Sequence, residues 1–85
     1  MRYVISYDLI KRKDYPQLWA QLQAWKAQRI LLSVWVVYWS GTTAVAIRDA
    51  LQKHVDSDDR ILVAGMDSAN WGTIQALADI NMINS

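Results

Sequence analysis

The first residues of the chain alternate between two sides of an extended backbone. Ser6 and Asp8 fall on one side, together with Val4. The other side is formed by larger apolar and aromatic residues, namely Tyr3, Ile5, Tyr7 and Leu9. A period of two with one apolar side is typical of a β-strand that packs one face on a core. The sequence therefore predicts a first strand over residues 3–9.

A change to helical spacing follows the first strand. Asp14 is a suitable N-cap, and Pro16 fits the first turn, where its missing N–H is not needed. Apolar residues then recur every three or four positions, which predicts a helix over residues 15–28 with one stripe toward a core. The stripe consists of Tyr15, Leu18, Trp19, Leu22 and Trp25.

The remaining segments complete an alternating order of strands and helices. Residues 29–39 are β-branched and aromatic and predict two strands, 29–32 and 33–39, joined by a bend or bulge near residue 32. Thr42 or Thr43 can cap a second helix, residues 56–59 form a turn, and residues 60–66 form a last strand. Weak helical spacing over residues 73–83 predicts a short C-terminal helix or tail.

This order predicts an α+β, ferredoxin-like βαββαβ fold. Two helices would cover one face of a four-stranded antiparallel sheet, and residues 1–85 would form a single domain. The other face would have no covering layer, and residues 33–39 are apolar on both sides. We therefore expect a homodimer. Ile80 and Ile83 in the tail are apolar enough to pack on the sheet or on the partner, as are Ile74 and Leu77.

Composition narrows the chemistry that the chain can perform. It has 85 residues, no Cys and one His, which excludes disulfides and a zinc site built from several His or Cys side chains. The net charge is +1, so nucleic-acid binding would depend on a local basic patch. No segment resembles a signal peptide or a membrane span, and no Gly-rich loop suggests a small-molecule cofactor. We expect a soluble, cytoplasmic protein.

Asp8 and the basic residues after it are the candidate functional groups. A carboxylate at the end of a strand can bind Mg²⁺, alone or with its symmetry mate in a dimer, but it can equally form an ion pair with a nearby lysine. Lys11, Arg12 and Lys13 form a basic cluster that could bind nucleic-acid phosphates, or could be a solvated loop.

Four segments together resemble a known family. They are Tyr-Val-Ile-Ser-Tyr-Asp at residues 3–8, Ser-Val-Trp at residues 33–35, Asp-Ser-Asp-Asp-Arg at residues 56–60, and the pair Asn70 and Trp71. In this order and spacing they resemble the small subunit of the CRISPR adaptation complex, the Cas-two family, and above all its stand-alone SinR-like and VapD-related members.

The resemblance implies a ferredoxin-like homodimer in which the two first-strand aspartates face each other. Asp8 matches that aspartate, Ser33 matches the serine that opens the third strand, and Trp35 takes the place of the usual phenylalanine. Some members are metal-dependent phosphodiesterases, and others are scaffolds for DNA. Val36 stands where the adaptation proteins usually carry Glu, and the first helix lacks their basic residues.

Two functions follow as expectations. The first is a homodimeric module that binds nucleic acid, RNA or DNA, or a protein partner without efficient catalysis. The alternative is a Mg²⁺-dependent endonuclease, a ribonuclease or deoxyribonuclease, in which Asp8 is the catalytic and metal-binding residue. Because the chain offers one carboxylate at this position and no His to act as a general base, the residues favour the first function.

Overall fold

The computed structural model describes residues 1–9, 15–66 and 70–83. Within them the chain forms a four-stranded antiparallel sheet with strand order β2-β3-β1-β4, together with two α-helices. This confirms the predicted ferredoxin-like fold. The elements, in chain order, are β1 (Arg2–Asp8), α1 (Pro16–Ala24), β2 (Gln28–Leu31), β3 (Val34–Tyr38), α2 (Ala44–Gln52), β4 (Arg60–Met66) and a one-turn 3₁₀ helix (Ile80–Met82).

The main core lies between the helices and one face of the sheet, which we call the helical face. The predicted stripe of α1 is confirmed, because Leu18 and Leu22 are fully buried there. Ile47 and Leu51 are their counterparts on α2. The strands contribute the odd-numbered residues that the alternation assigned to this side, and the strand members of the core are Tyr3, Ile5, Tyr7, Trp35 and Val37.

Helix α1 is shorter at both ends than the sequence predicts. Tyr15 is the N-cap residue, and its side chain makes no capping hydrogen bond. Asp14, the predicted N-cap, lies outside the described residues. The helix stops at Ala24 because Lys26 adopts a left-handed conformation with φ 61°. The Lys26 N–H then donates to Gln23 O at 2.9 Å and the Ala27 N–H to Leu22 O at 2.9 Å. These two bonds form a Schellman C-cap with lysine at the position where glycine is usual.

The hairpin of β2 and β3 has the predicted bend. Leu32 and Ser33 form its turn, and the pairing register shifts between Arg29 and Leu31. The shift places Leu31 opposite Val34, on the sheet face that is turned away from the helices. We call that face the second face.

The C-terminal tail is not the short α-helix that its spacing predicts. Residues 70–79 are irregular, and the only helical turn in the described part of the tail is at Ile80–Met82. Ile80 and Ile83 are buried on the second face, whereas Ile74 and Leu77 are exposed. The expectation that apolar tail residues pack on the sheet is thus confirmed for two of the four.

Gly65 lies in β4 in regular register with β1. A Cβ atom added at this glycine would lie 2.8 Å from Met1 Sδ, its nearest neighbouring atom. The pairing of β1 and β4 is therefore regular at this glycine, and its close neighbour is a side chain. Among the described residues, no helix is long and apolar enough to cross a membrane.

Candidate functional site at the end of strand β1

Asp8 is the last residue of β1 and lies opposite Arg60, the first residue of β4. Its Oδ2 is 4.0 Å from Arg60 Nη1, and the two side chains are 73% and 77% exposed. An ion pair that is this long and this exposed is weak, because water screens both charges. The Asp8 carboxylate therefore remains accessible to a ligand.

A groove of about 450 Å³ runs from Asp8 to the β2–β3 hairpin. It brings together two of the predicted site residues, Asp8 and Ser33, although they are far apart in sequence. The backbone explains this proximity, since the Tyr7 N–H donates to Ser33 O at 3.2 Å and ties the hairpin turn to β1. The groove is lined by Tyr7, Asp8, Leu9, Trp19, Arg29, Leu32, Ser33 and Arg60.

A buried hydrogen-bonded cluster supports the groove from beneath. The Tyr7 hydroxyl accepts hydrogen bonds from Trp19 Nε1 at 3.1 Å and from Trp35 Nε1 at 3.0 Å. Tyr7 and Trp35 are both buried. Trp35, a predicted supporting residue, therefore acts through the packing of the core and does not line the groove.

Arg29 brings a second positive charge to the groove. Its guanidinium carbon lies 5.1 Å from the Trp19 ring centroid and 5.3 Å from the Trp35 centroid, within cation–π range. Its Nε is buried and has no hydrogen-bond partner in the described part of the chain. Aromatic faces, rather than a carboxylate, hold this guanidinium in place.

The groove does not by itself fit a divalent cation. Among the described residues, Asp8 is the one carboxylate that lines it, and they contain no group of three or more His, Cys, Asp or Glu side chains that could hold a metal. Mg²⁺ prefers several oxygen ligands in an octahedral arrangement. A second carboxylate would have to come from another chain.

A row of side chains crosses the second face next to Asp8. The pairing register places one residue of each strand in it: Leu31, Val34, Ser6 and Leu62. Leu31 and Leu62 are exposed at the ends of the row. We call this set the apolar row; it lies on the same face as Asp8, two residues before it on β1.

Some residues of the groove are not among the predicted site residues, and part of the predicted site lies outside the described residues. Arg60 could have been found by pairing the start of the last strand with the end of the first. The alternation places Tyr7 on the apolar side of β1 and predicts no role for its hydroxyl. Lys11, Arg12 and Lys13, the predicted nucleic-acid-binding residues, lie outside the described residues.

The fold and the groove define a small ferredoxin-like protein whose first strand ends in an accessible aspartate. Residues 1–74 match the family described as CRISPR associated protein Cas2. This match covers most of the chain, and the protein therefore belongs to the Cas2 family, as the sequence resemblance indicated. The match ends before Ile80 and Ile83, the two tail residues that are buried on the second face.

Proposed function

We propose that this Cas2 family protein is a homodimeric module of CRISPR adaptation that binds nucleic acid at the groove without efficient catalysis. The observation that carries the proposal is the charge of the groove: of the described residues that line it, Arg29 and Arg60 are basic and only Asp8 is acidic. Two guanidinium groups can bind phosphate oxygens, while one carboxylate is too few to hold a catalytic metal. Lys11, Arg12 and Lys13 would extend the basic surface.

The apolar row supports the proposal of a homodimer. It exposes leucine side chains on a sheet face, a feature that usually marks a contact surface. If two copies pack through this row, the Asp8 side chains of both come near the shared axis. A stable pair would bury on the order of 1,200 Å² or more in total.

Nucleic-acid binding is tested with Arg60→Gln, because Arg60 is exposed and its removal leaves the core intact. Binding of labelled single-stranded RNA and duplex DNA is measured by anisotropy over a range of salt, with the mass of each sample determined by light scattering. We expect the salt slope to fall by about one per protomer. Arg48→Gln is the matched control, because it removes the same charge from the exposed Arg48–Asp49 pair on α2.

The Mg²⁺-dependent endonuclease is tested on the same substrates with Asp8→Asn. Under our proposal, wild type with Mg²⁺ cleaves no more than Asp8→Asn does. Cleavage that requires both Mg²⁺ and Asp8 would replace the proposal with the nuclease. If wild type binds neither nucleic acid at low salt, or if Arg60→Gln and Arg48→Gln behave alike, the groove is not the binding site.

A further inference from the structure

The C-terminal tail is attached to the second face at the end of β1 opposite to Asp8. Arg2 makes three contacts with the tail. Its Nε donates to Ile83 O at 2.8 Å, its Nη2 donates to Asn81 O at 3.4 Å, and its guanidinium carbon lies 5.1 Å from the Trp71 ring centroid. The Leu77 N–H also donates to Ile30 O on the edge strand β2, at 2.9 Å. The tail is therefore docked through a few identifiable bonds.

Docking buries apolar side chains of the tail and of the sheet together. Ile80 and Ile83 form a second cluster with Ile30 and Val36, and Ile83 is only 4% exposed. Ile74, by contrast, is 88% exposed. The tail thus covers the part of the second face around Val36, where Val34 packs against the same cluster, and leaves Leu31 and Leu62 of the apolar row exposed.

The size of the sheet shows what this covering implies for a dimer. Strands β1 and β4 have seven residues each, β3 has five and β2 has four. At about 3.3 Å per residue and 4.8 Å per strand, the flat area of the face is roughly 360 Å². A standard interface buries about 800 Å² of accessible surface on each partner. Because the whole face is small on this scale, a dimer that uses only the apolar row would be weak.

We propose that the docked tail is an internal competitor for dimerisation: it occupies part of the second face in the isolated chain and is displaced when a second copy packs there. This inference depends on the dimer of the proposed function. The apparent dissociation constant of the dimer is then its intrinsic dissociation constant divided by the fraction of chains whose tail is undocked. A change that undocks the tail should therefore tighten the dimer.

The first test places a charge on the buried side of the tail. Ile83→Asp should release the tail and lower the dimer dissociation constant at least about tenfold in sedimentation equilibrium. Ile74→Asp is the matched control, because it adds the same charge to the same tail at an exposed position. Arg2→Gln removes the contacts of the Arg2 guanidinium with the tail while leaving the apolar contacts of the tail in place, and should act in the same direction as Ile83→Asp.

The second test follows the tail directly in the wild-type protein. Hydrogen exchange of the Leu77 amide reports the bond to Ile30 O. We expect its protection to fall as protein concentration rises and the dimer forms. If protection stays constant or increases on dimerisation, or if Ile83→Asp weakens the dimer, the proposal that the tail competes with dimerisation is wrong. The proposal of a homodimer is not affected by that outcome. If wild type and every variant stay near 9.8 kDa at all concentrations, the dimer and the competitor are both wrong.

Discussion

Removing the Tyr7 hydroxyl tests whether the groove rests on a satisfied polar core. Tyr7→Phe keeps the ring and its packing but leaves two indole N–H groups without their acceptor. The two indoles differ in exposure, since Trp35 is buried and Trp19 is half-buried. The loss should therefore be dominated by Trp35.

The magnitude follows from the cost of an unpaired polar group. A buried donor that loses its partner costs about 1–3 kcal/mol, while the half-buried indole can regain water and loses about 0.5–1 kcal/mol. The sum is about 1.5–4 kcal/mol of unfolding free energy. For a domain of this size that corresponds to a fall in Tm of roughly 6–30 °C.

Urea unfolding at a fixed protein concentration measures this loss, because a dimer would make stability depend on concentration. Tyr38→Phe is the control: the Tyr38 hydroxyl is exposed and has no hydrogen-bond partner in the described part of the chain, so its loss should change stability by less than about 0.5 kcal/mol. If Tyr7→Phe is as stable as Tyr38→Phe, the hydroxyl does not organise the two tryptophans and the account of the groove's support is wrong.

Two further predictions concern the ends of the helices. Lys26→Gly should stabilise the protein by about 0.5–1 kcal/mol in thermal unfolding, because glycine adopts the left-handed C-cap conformation without steric cost; Lys53→Gly, at the C-cap of α2 with φ −68°, should not stabilise it. Thr43→Ala should cost about 1 kcal/mol, because Thr43 Oγ1 accepts from the Ala46 N–H at 3.1 Å, whereas Thr42→Ala removes no side-chain cap and serves as its control. Equal effects within either pair would contradict the capping argument.

The elements that could be predicted from the sequence are those in which the regularly spaced apolar residues are buried in the core. The alternation of β1 is the clearest case: Tyr3, Ile5 and Tyr7 are buried on the helical face, while Ser6 and Asp8 point to the second face. A period of two is a local property, so neighbouring residues are enough to recognise it.

Two features could not be predicted from apolar spacing: the end of α1, which local backbone bonds determine, and the path of the tail, which tertiary contacts determine. The predicted helix extends past Trp25 to residue 28, but the Schellman bonds at Lys26 end α1 without the glycine that would have marked the end. In the tail, Ile80 and Ile83 have helical spacing, yet their burial on the sheet and the bonds from Arg2 hold an irregular path. A short segment gains more from such contacts than from helix propensity.

Two residues of the candidate site could be predicted from the sequence, but the full set that lines the groove could not. Asp8 and Ser33 could be recognised by position and resemblance. Arg29 joins them by stacking on Trp35, its partner across the β2–β3 pair, and on Trp19 of α1. The sequence pattern around Arg29 does not reveal this stacking, because an arginine in an exposed strand would have the same pattern around it.

Strand β1 connects the two halves of the proposed function. Tyr7 and Asp8 are consecutive, so the pleat sends one into the tryptophan cluster and the other to the second face. The first anchors the position of the groove, and the second presents its carboxylate beside the apolar row. Because no other acidic residue in the described part of the chain lines the groove beside Asp8, we expect the chemistry available there to depend on what a second copy adds. The tail, held by Arg2 at the other end of the same strand, would then control both association and the chemistry that association allows.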